Sequence, residues 1–236
     1  LLTDAPCRYR NVPLRRDIQT QIKILNTLGI ETQWRGRTVT TRPLDSYNSI
    51  APYELVKTMR AGVVVLGPLL AKRGECRVSL PGGCVIGERP IDLHLRGLEA
   101  LGATITVEHG DIHAVAPAGG LRGAEIYLGG TFGSSVTATA NVIMAATLAR
   151  GTTLIECAAC EPAVVDLADC LNAMGARITG AGSPTIRING VRRLRSADWR
   201  VIPDRIEAAT FLVLGAITRS PIAVTGARYD HMMAFC

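Results

Sequence analysis

Reactive residue types concentrate in one short stretch, Pro81-Gly82-Gly83-Cys84-Val85-Ile86-Gly87-Glu88-Arg89-Pro90-Ile91-Asp92. Adjacent glycines let the backbone take left-handed angles and approach a ligand closely. A cysteine on such a loop is open to acid, nucleophile or adduct chemistry, because reactivity follows exposure and a tuned thiol. Arg89 stands five residues after Cys84, and Arg60 stands 24 residues before it in Lys57-Thr58-Met59-Arg60. Guanidinium groups fit carboxylates and phosphates in a two-pronged manner, so the pair suits an anionic substrate. Two arginines on a surface also make ordinary ion pairs of little energetic weight. Gly133-Ser134-Ser135-Val136 offers a second anion-binding pattern. Serines before a helix cap its first turn, and the same free N–H groups attract phosphate. Cys157-Ala158-Ala159-Cys160 has the spacing of a redox pair or half a zinc site. No second Cys-x-x-Cys or close histidine pair completes a metal site, so a structural role is the default there. His94, His109, His113 and His231 do not cluster in sequence.

The elements that must carry these residues repeat. Ile18, Ile22, Leu25, Leu28 and Gly29 recur as Ile91, Leu95, Leu98, Leu101 and Gly102, and again as Val164, Ala168, Leu171, Met174 and Gly175. Every position moves by 73 residues from copy to copy. Spacings of four and three residues predict an amphipathic helix, with glycine just beyond its end. Asp17, Asp92 and Asp166 fall near the helix starts, where an acid caps or complements the dipole. Two strands follow each helix, such as Ala103-Thr104-Ile105-Thr106-Val107 and Asp111-Ile112-His113-Ala114-Val115. A second helix then ends at Arg73-Gly74, Arg150-Gly151 or Arg219-Ser220, and a strand such as Thr152-Thr153-Leu154-Ile155-Glu156 runs on. The predicted unit is helix, strand, strand, helix, strand. A period this long predicts pseudo-symmetric α/β packing rather than an open solenoid. Both ends of the chain cut through a unit, which predicts an incomplete piece of a longer protein.

The 236 residues exceed the usual size of one domain, so one large or two smaller domains are expected. Apolar residues make up 47% and aromatics 4%, so the core must be built from Ala, Val, Ile and Leu. The net charge of +6 suits anionic ligands or simply a basic surface, and without a block of five basic residues nucleic-acid binding is weakly supported. The uncharged run between Glu125 and Arg150 opens with Gly, Ser and Thr and does not read as a membrane span. Leu1-Leu2-Thr3-Asp4 has no signal-peptide pattern. Seven cysteines without framework spacing point to a reducing, cytoplasmic setting.

The chain resembles the UDP-N-acetylglucosamine 1-carboxyvinyltransferase family of enolpyruvyl transferases over essentially its whole length. The resemblance rests on Ala51-Pro52-Tyr53-Glu54-Leu55-Val56-Lys57-Thr58-Met59-Arg60-Ala61, the Pro81–Asp92 loop, Leu98-Glu99-Ala100-Leu101-Gly102-Ala103, Ala145-Ala146-Thr147-Leu148-Ala149-Arg150-Gly151-Thr152-Thr153 and Pro203-Asp204-Arg205-Ile206-Glu207. It implies an α/β fold of two similar domains, each with three such units around a pseudo-threefold axis (an inside-out α/β barrel), with the active site in the cleft between them. Residues 1–202 would form most of one domain, and residues 203–236 would begin the second.

The implied reaction moves enolpyruvate from phosphoenolpyruvate to the 3′-hydroxyl of UDP-N-acetylglucosamine and releases phosphate, with no cofactor and no metal. Cys84 matches the proton donor and adduct-forming thiol, and so the target of the epoxide fosfomycin. Arg60 and Arg89 match anion-binding arginines. Pro90, Ile91, Asp92 and Leu93 match the strip along the uridine nucleotide, although Asp92 also reads as a helix cap. Gly133, Ser134, Ser135 and Val136 match the pyrophosphate site; some relatives carry lysine at Gly133 and glycine at Thr137. Glu161 and Arg205 match polar cleft residues, with structural ion pairing as their default. A Lys-Asn pair would precede Leu1, and an acidic residue facing the acceptor would follow Cys236. Three other readings remain: transfer to another acceptor such as shikimate 3-phosphate, a redox or metal protein built on Cys157 and Cys160, and a basic nucleic-acid module.

Overall fold

The computed structural model describes residues 1–44, 48–82 and 90–236. Cys84 and Arg89 lie outside the described residues.

The chain opens with β1 (Cys7–Arg10), α1 (Arg16–Thr27), β2 (Ile30–Arg35) and β3 (Thr38–Pro43). Then come β4 (Ile50–Ala51), α2 (Tyr53–Val56), a 3-10 helix (Arg60–Val65), α3 (Leu66–Arg73) and β5 (Glu75–Ser79). The next group is α4 (Asp92–Ala100), β6 (Thr104–Glu108), β7 (Asp111–Val115), β8 (Glu125–Tyr127), α5 (Val136–Thr147) and β9 (Thr152–Glu156). The last is α6 (Pro162–Ala173), β10 (Ile178–Thr179), β11 (Thr185–Asn189), β12 (Asp198–Arg200) and α7 (Arg205–Thr218), before a short 3-10 turn at Tyr229–His231.

Three four-stranded sheets share one topology, in the orders β12-β1-β3-β2, β4-β5-β7-β6 and β8-β9-β11-β10. In each, the first strand runs parallel to the second and the others are antiparallel. Parallel neighbours need a helical crossover. The 3-10 helix and α3 supply it from β4 to β5, and α5 supplies it from β8 to β9. β12 takes the parallel place beside β1, with Arg8 opposite Asp198.

The repeat read from sequence is present, and α1, α4 and α6 are its first-type helices. Gly29, Gly102 and Gly175 all have positive φ, as the helix ends require. Three readings need correction. The unit has one more strand than expected, because β4, β8 and β12 are two or three residues long and too short for an alternating pattern. α6 begins at Pro162, so Asp166 lies a turn inside it and accepts from Trp199 Nε1 at 3.1 Å instead of serving the helix start. The core residues here are Ile24 of α1 and Leu28 just after it, while Ile18 and Leu25 line an open apolar cavity of about 470 Å³ with Met59, Met144 and Leu171.

Alternation along the strands sends one face inward. Cys76 and Val78 of β5, Ile112 and Ala114 of β7, and Ile186 and Ile188 of β11 are buried. The outer face carries pairs such as Arg77–Asp111 at 2.8 Å and His113–Glu75 at 2.9 Å. Burial raises the Cys76 and Cys170 thiols to about 12, so both are inert.

α5 sits at the centre, packed by α3, α4 and α6. Its sequence is uncharged and most of its residues are buried, as a central helix requires. Glycines permit the crossings. A Cβ on Gly67 of α3 would overlap the Asn141 backbone carbonyl, and one on Gly97 of α4 would overlap the Val142 side chain.

Candidate active site

Lys57 precedes the 3-10 helix and approaches the start of the cysteine loop. A Cβ on Gly82 would overlap the Lys57 carbonyl oxygen, so only glycine fits where the loop leaves β5. Lys57 pairs with Glu54 at 2.6 Å and lies 4.8 Å from the Tyr53 ring centre. Arg60 opens the 3-10 helix and donates from Nη2 to the Pro90 carbonyl at 3.2 Å. The segment Lys57–Arg60 therefore meets Gly82 before the loop at one end and Pro90 after it at the other.

Pro90, Ile91, Asp92 and Leu93 lead into α4. Ile91, not Asp92, occupies the cap position, and no side chain caps the helix. Asp92 is the first helical residue and lies 3.9 Å from Arg96, so it does not act as the cap. Arg96 reaches across to the Gly129 carbonyl at 2.9 Å. Leu93 is buried, and the space beside the Gly130 Cα is filled by its methyl groups. This segment thus lies directly against the loop that enters α5.

That loop is a tight turn. Gly130 and Gly133 exchange backbone hydrogen bonds at 3.0 Å each way, and Gly133 takes φ 82°. Phe132 projects from the tip, 85% exposed. Ser134 is exposed. Ser135 caps α5, its Oγ accepting from Ala138 N at 3.3 Å, and Val136 is the first helical residue. The first-turn N–H groups and the helix dipole make this end attractive to an anion.

Beneath the site lies a polar cluster that sequence reasoning missed. His94 is 1% exposed and Asn141 is fully buried. Asn141 Nδ2 lies 2.9 Å from His94 Nδ1, and His94 Nε2 lies 3.1 Å from Thr137 Oγ1. Burial, then the Arg60 charge, push the His94 imidazole down to about 4, against the opposing Asp92. The sequence signal was a lone asparagine in the uncharged run of α5.

The remaining candidates stand at the starts of α6 and α7. Glu161 is at the cap of α6 and uses only its backbone carbonyl there, accepting from Val164 N at 2.8 Å. The loop before it is held to α5, where Thr139 Oγ1 accepts from Ala159 N at 3.0 Å. Arg205 is the first residue of α7 behind the cap Asp204. Neither Glu161 nor Arg205 forms an ion pair with another described residue; Arg15 pairs instead with Glu207. Cys157 and Cys160 are free thiols, the first half-buried and the second exposed. Among the described residues no group of three or more His, Cys, Asp or Glu could hold a metal, and no helix is long and apolar enough to cross a membrane.

Comparison with known proteins bears on the family and the fold. A curated UDP-N-acetylglucosamine 1-carboxyvinyltransferase of Desulfosudis oleivorans is 52% identical over 232 residues, covering 98% of this chain and 54% of that protein. The chain thus spans about half the length of that relative. Among solved structures, the enolpyruvyl transferase NikO from Streptomyces tendae superposes with a TM-score of 0.77 at 22% identity, over 90% of this chain and 50% of that one. EPSP synthase from Acinetobacter baumannii gives 0.69 at 20% identity, over 92% of this chain and 48% of that one. At these identities the superpositions speak for the fold alone. The model of the EPSP synthase (3-phosphoshikimate 1-carboxyvinyltransferase) family matches residues 1–236, and the chain belongs to that family.

Proposed function

We propose that the protein carrying this chain transfers enolpyruvate from phosphoenolpyruvate to the 3′-hydroxyl of UDP-N-acetylglucosamine and releases phosphate, which would place it in peptidoglycan synthesis in the cytoplasm. The reading is carried by one observation: Arg60 holds Pro90 at the head of the Pro90–Leu93 strip, and Arg96 of the helix behind that strip holds the Gly129 carbonyl in the loop that leads to the capped start of α5. The 52% identical relative of that name supports the acceptor.

In this reading Cys84 supplies the proton to the methylene carbon of phosphoenolpyruvate, while the acceptor hydroxyl attacks the adjacent carbon. The hydroxyl proton passes to a base, and loss of phosphate with a methyl proton, which returns to the thiolate, then forms the vinyl ether. Arg60 and Arg89 hold the anionic groups of phosphoenolpyruvate. Pro90 to Leu93 line the nucleotide, and the turn from Gly133 to Val136 takes the pyrophosphate at the N-terminus of α5. Gly133 has no side chain to add, so the turn's contribution there is backbone only. Glu161 and Arg205 border the cleft. No cofactor or metal enters this scheme. The division at residues 202 and 203 into two similar domains belongs to the same proposal.

The test is phosphate release by the whole protein from phosphoenolpyruvate with UDP-N-acetylglucosamine. Cys84→Ala is expected to lower kcat by more than about a hundredfold, and fosfomycin is expected to alkylate Cys84. Undiminished activity in Cys84→Ala removes the thiol from the chemistry. A second reading, transfer to shikimate 3-phosphate, is favoured by the family description. Turnover with that acceptor and not with the nucleotide sugar would replace the first.

A further inference from the structure

We propose that the His94–Asn141 pair is a positioning device that locks the start of α4, the start of α5 and the 3-10 helix into one register. The inference rests on the reading of these segments as the substrate site.

The direction of every hydrogen bond in the cluster follows from the backbone. Asn141 Oδ1 accepts from Gly67 N at 2.8 Å, and Asn141 Nδ2 donates to the Val63 carbonyl at 3.0 Å. A reversed amide would set N–H against N–H and carbonyl against carbonyl, so the orientation is fixed. The second proton of Nδ2 must then point at His94 Nδ1, 2.9 Å away, and that nitrogen accepts. A neutral imidazole has one acceptor and one donor, so the ring proton sits on Nε2 and is given to Thr137 Oγ1 at 3.1 Å. Arg60 and Asp92 are the charged groups acting on the ring, and burial with Arg60 outweighs Asp92 in keeping it neutral.

Each partner belongs to a different piece of the site. Val63 and Gly67 continue from Arg60, which itself holds Pro90. His94 stands in the first turn of α4, directly after the Pro90–Leu93 strip. Thr137 is the second residue of α5, and its hydroxyl lies 3.4 Å from the capping Ser135 Oγ. Two buried side chains therefore set the separation of three segments that carry the proposed substrate contacts. Deleting one partner strands a buried donor, a cost that the rest of the cluster relaxes by shifting.

The experiment compares His94→Leu and His94→Gln with wild type in the whole protein. Glutamine can accept from Asn141 through Oε1 and donate to Thr137 through Nε2; leucine does neither. The expected result is a rise of about tenfold in KM for UDP-N-acetylglucosamine in His94→Leu, with kcat within roughly threefold, and recovery of most of that loss in His94→Gln. An unchanged KM in a folded His94→Leu, or equal KM values in the two variants, overturns the proposal. Nitrogen-15 NMR of the wild-type ring decides independently of turnover and of variant folding. A proton on Nε2, retained as the solution is acidified to pH 5 with Nδ1 still accepting, supports the lock; a proton on Nδ1 overturns it. Wild type without turnover on UDP-N-acetylglucosamine would instead reject the proposed function, and the tautomer would still decide the lock.

Discussion

At the scale of single residues, the site depends on groups fixed by their immediate surroundings. The His94 imidazole is neutral in the fold because it is buried, and its value of about 4 lies below the 6.5 of a free side chain. Above pH 6.5 neither state binds the proton, and the group is neutral in both. As pH falls from 6.5 towards 4, the unfolded chain takes up a proton that the folded chain refuses, so stability is lost, up to about 3 kcal/mol. Urea midpoints at pH 7 and pH 5 should therefore fall more steeply for wild type than for His94→Gln; equal slopes would place the charged imidazole comfortably in the fold. Gly82 is a second such residue. In Gly82→Ala the new methyl meets the Lys57 carbonyl, and the loop bearing Cys84 must move. A shift of this kind is expected to lower kcat by about a hundredfold while leaving the melting temperature nearly unchanged; an active Gly82→Ala protein would show that the loop tolerates the displacement.

At the scale of elements, α5 organises the molecule. It provides the crossover between β8 and β9, the surface against which α3, α4 and α6 pack, and the capped end at the candidate site. Its close neighbours are set by Gly67 and Gly97, and the two glycines meet different atoms. Gly97→Ala presses on a Val142 methyl group that can shift, and is expected to cost about 1–3 kcal/mol. Gly67→Ala presses on backbone and on the amide that orients His94, so its urea midpoint should fall further and its KM for the nucleotide sugar should rise with it. The reverse order of stability would mean that α3 and not α4 has room to move. The first-type helices and their glycine ends were legible in the sequence because their apolar spacing covers three turns. β4, β8 and β12 were not, since two or three residues hold no periodic signal and owe their strand form to a neighbour already in place.

At the scale of the whole molecule, the sheets are three copies of one arrangement, and the first is completed by pairing residues distant in sequence. β12 joins β1 with Arg10 Nη2 at 2.5 Å from Asp198, while α7 leaves Phe211, Leu214 and Ile217 substantially exposed. In the proposed function this helix belongs to the start of a second similar domain. A cleft site needs both walls. If the proposed function holds, the 236-residue chain alone is expected to show no turnover of phosphoenolpyruvate with UDP-N-acetylglucosamine, and the protein at the full length of its relatives is expected to show it. Multiple turnovers by the isolated chain would overturn the two-walled reading.

The sequence by itself determined the repeat, its period, the α/β class and the loop that carries the thiol, because each is written in local spacing or in a contiguous motif. It also carried the family through the Pro-Gly-Gly-Cys loop and the segments around it. Only the tertiary structure decided what those pieces touch. It joined Arg60 to Pro90 across 30 residues, moved Asp92 from cap to first helical residue, and left Asp166 serving Trp199 rather than a helix end. It also brought His94 and Asn141 together from 47 residues apart. Contacts between distant residues depend on how helices cross, and crossing is fixed by small residues and buried shapes that no local pattern records.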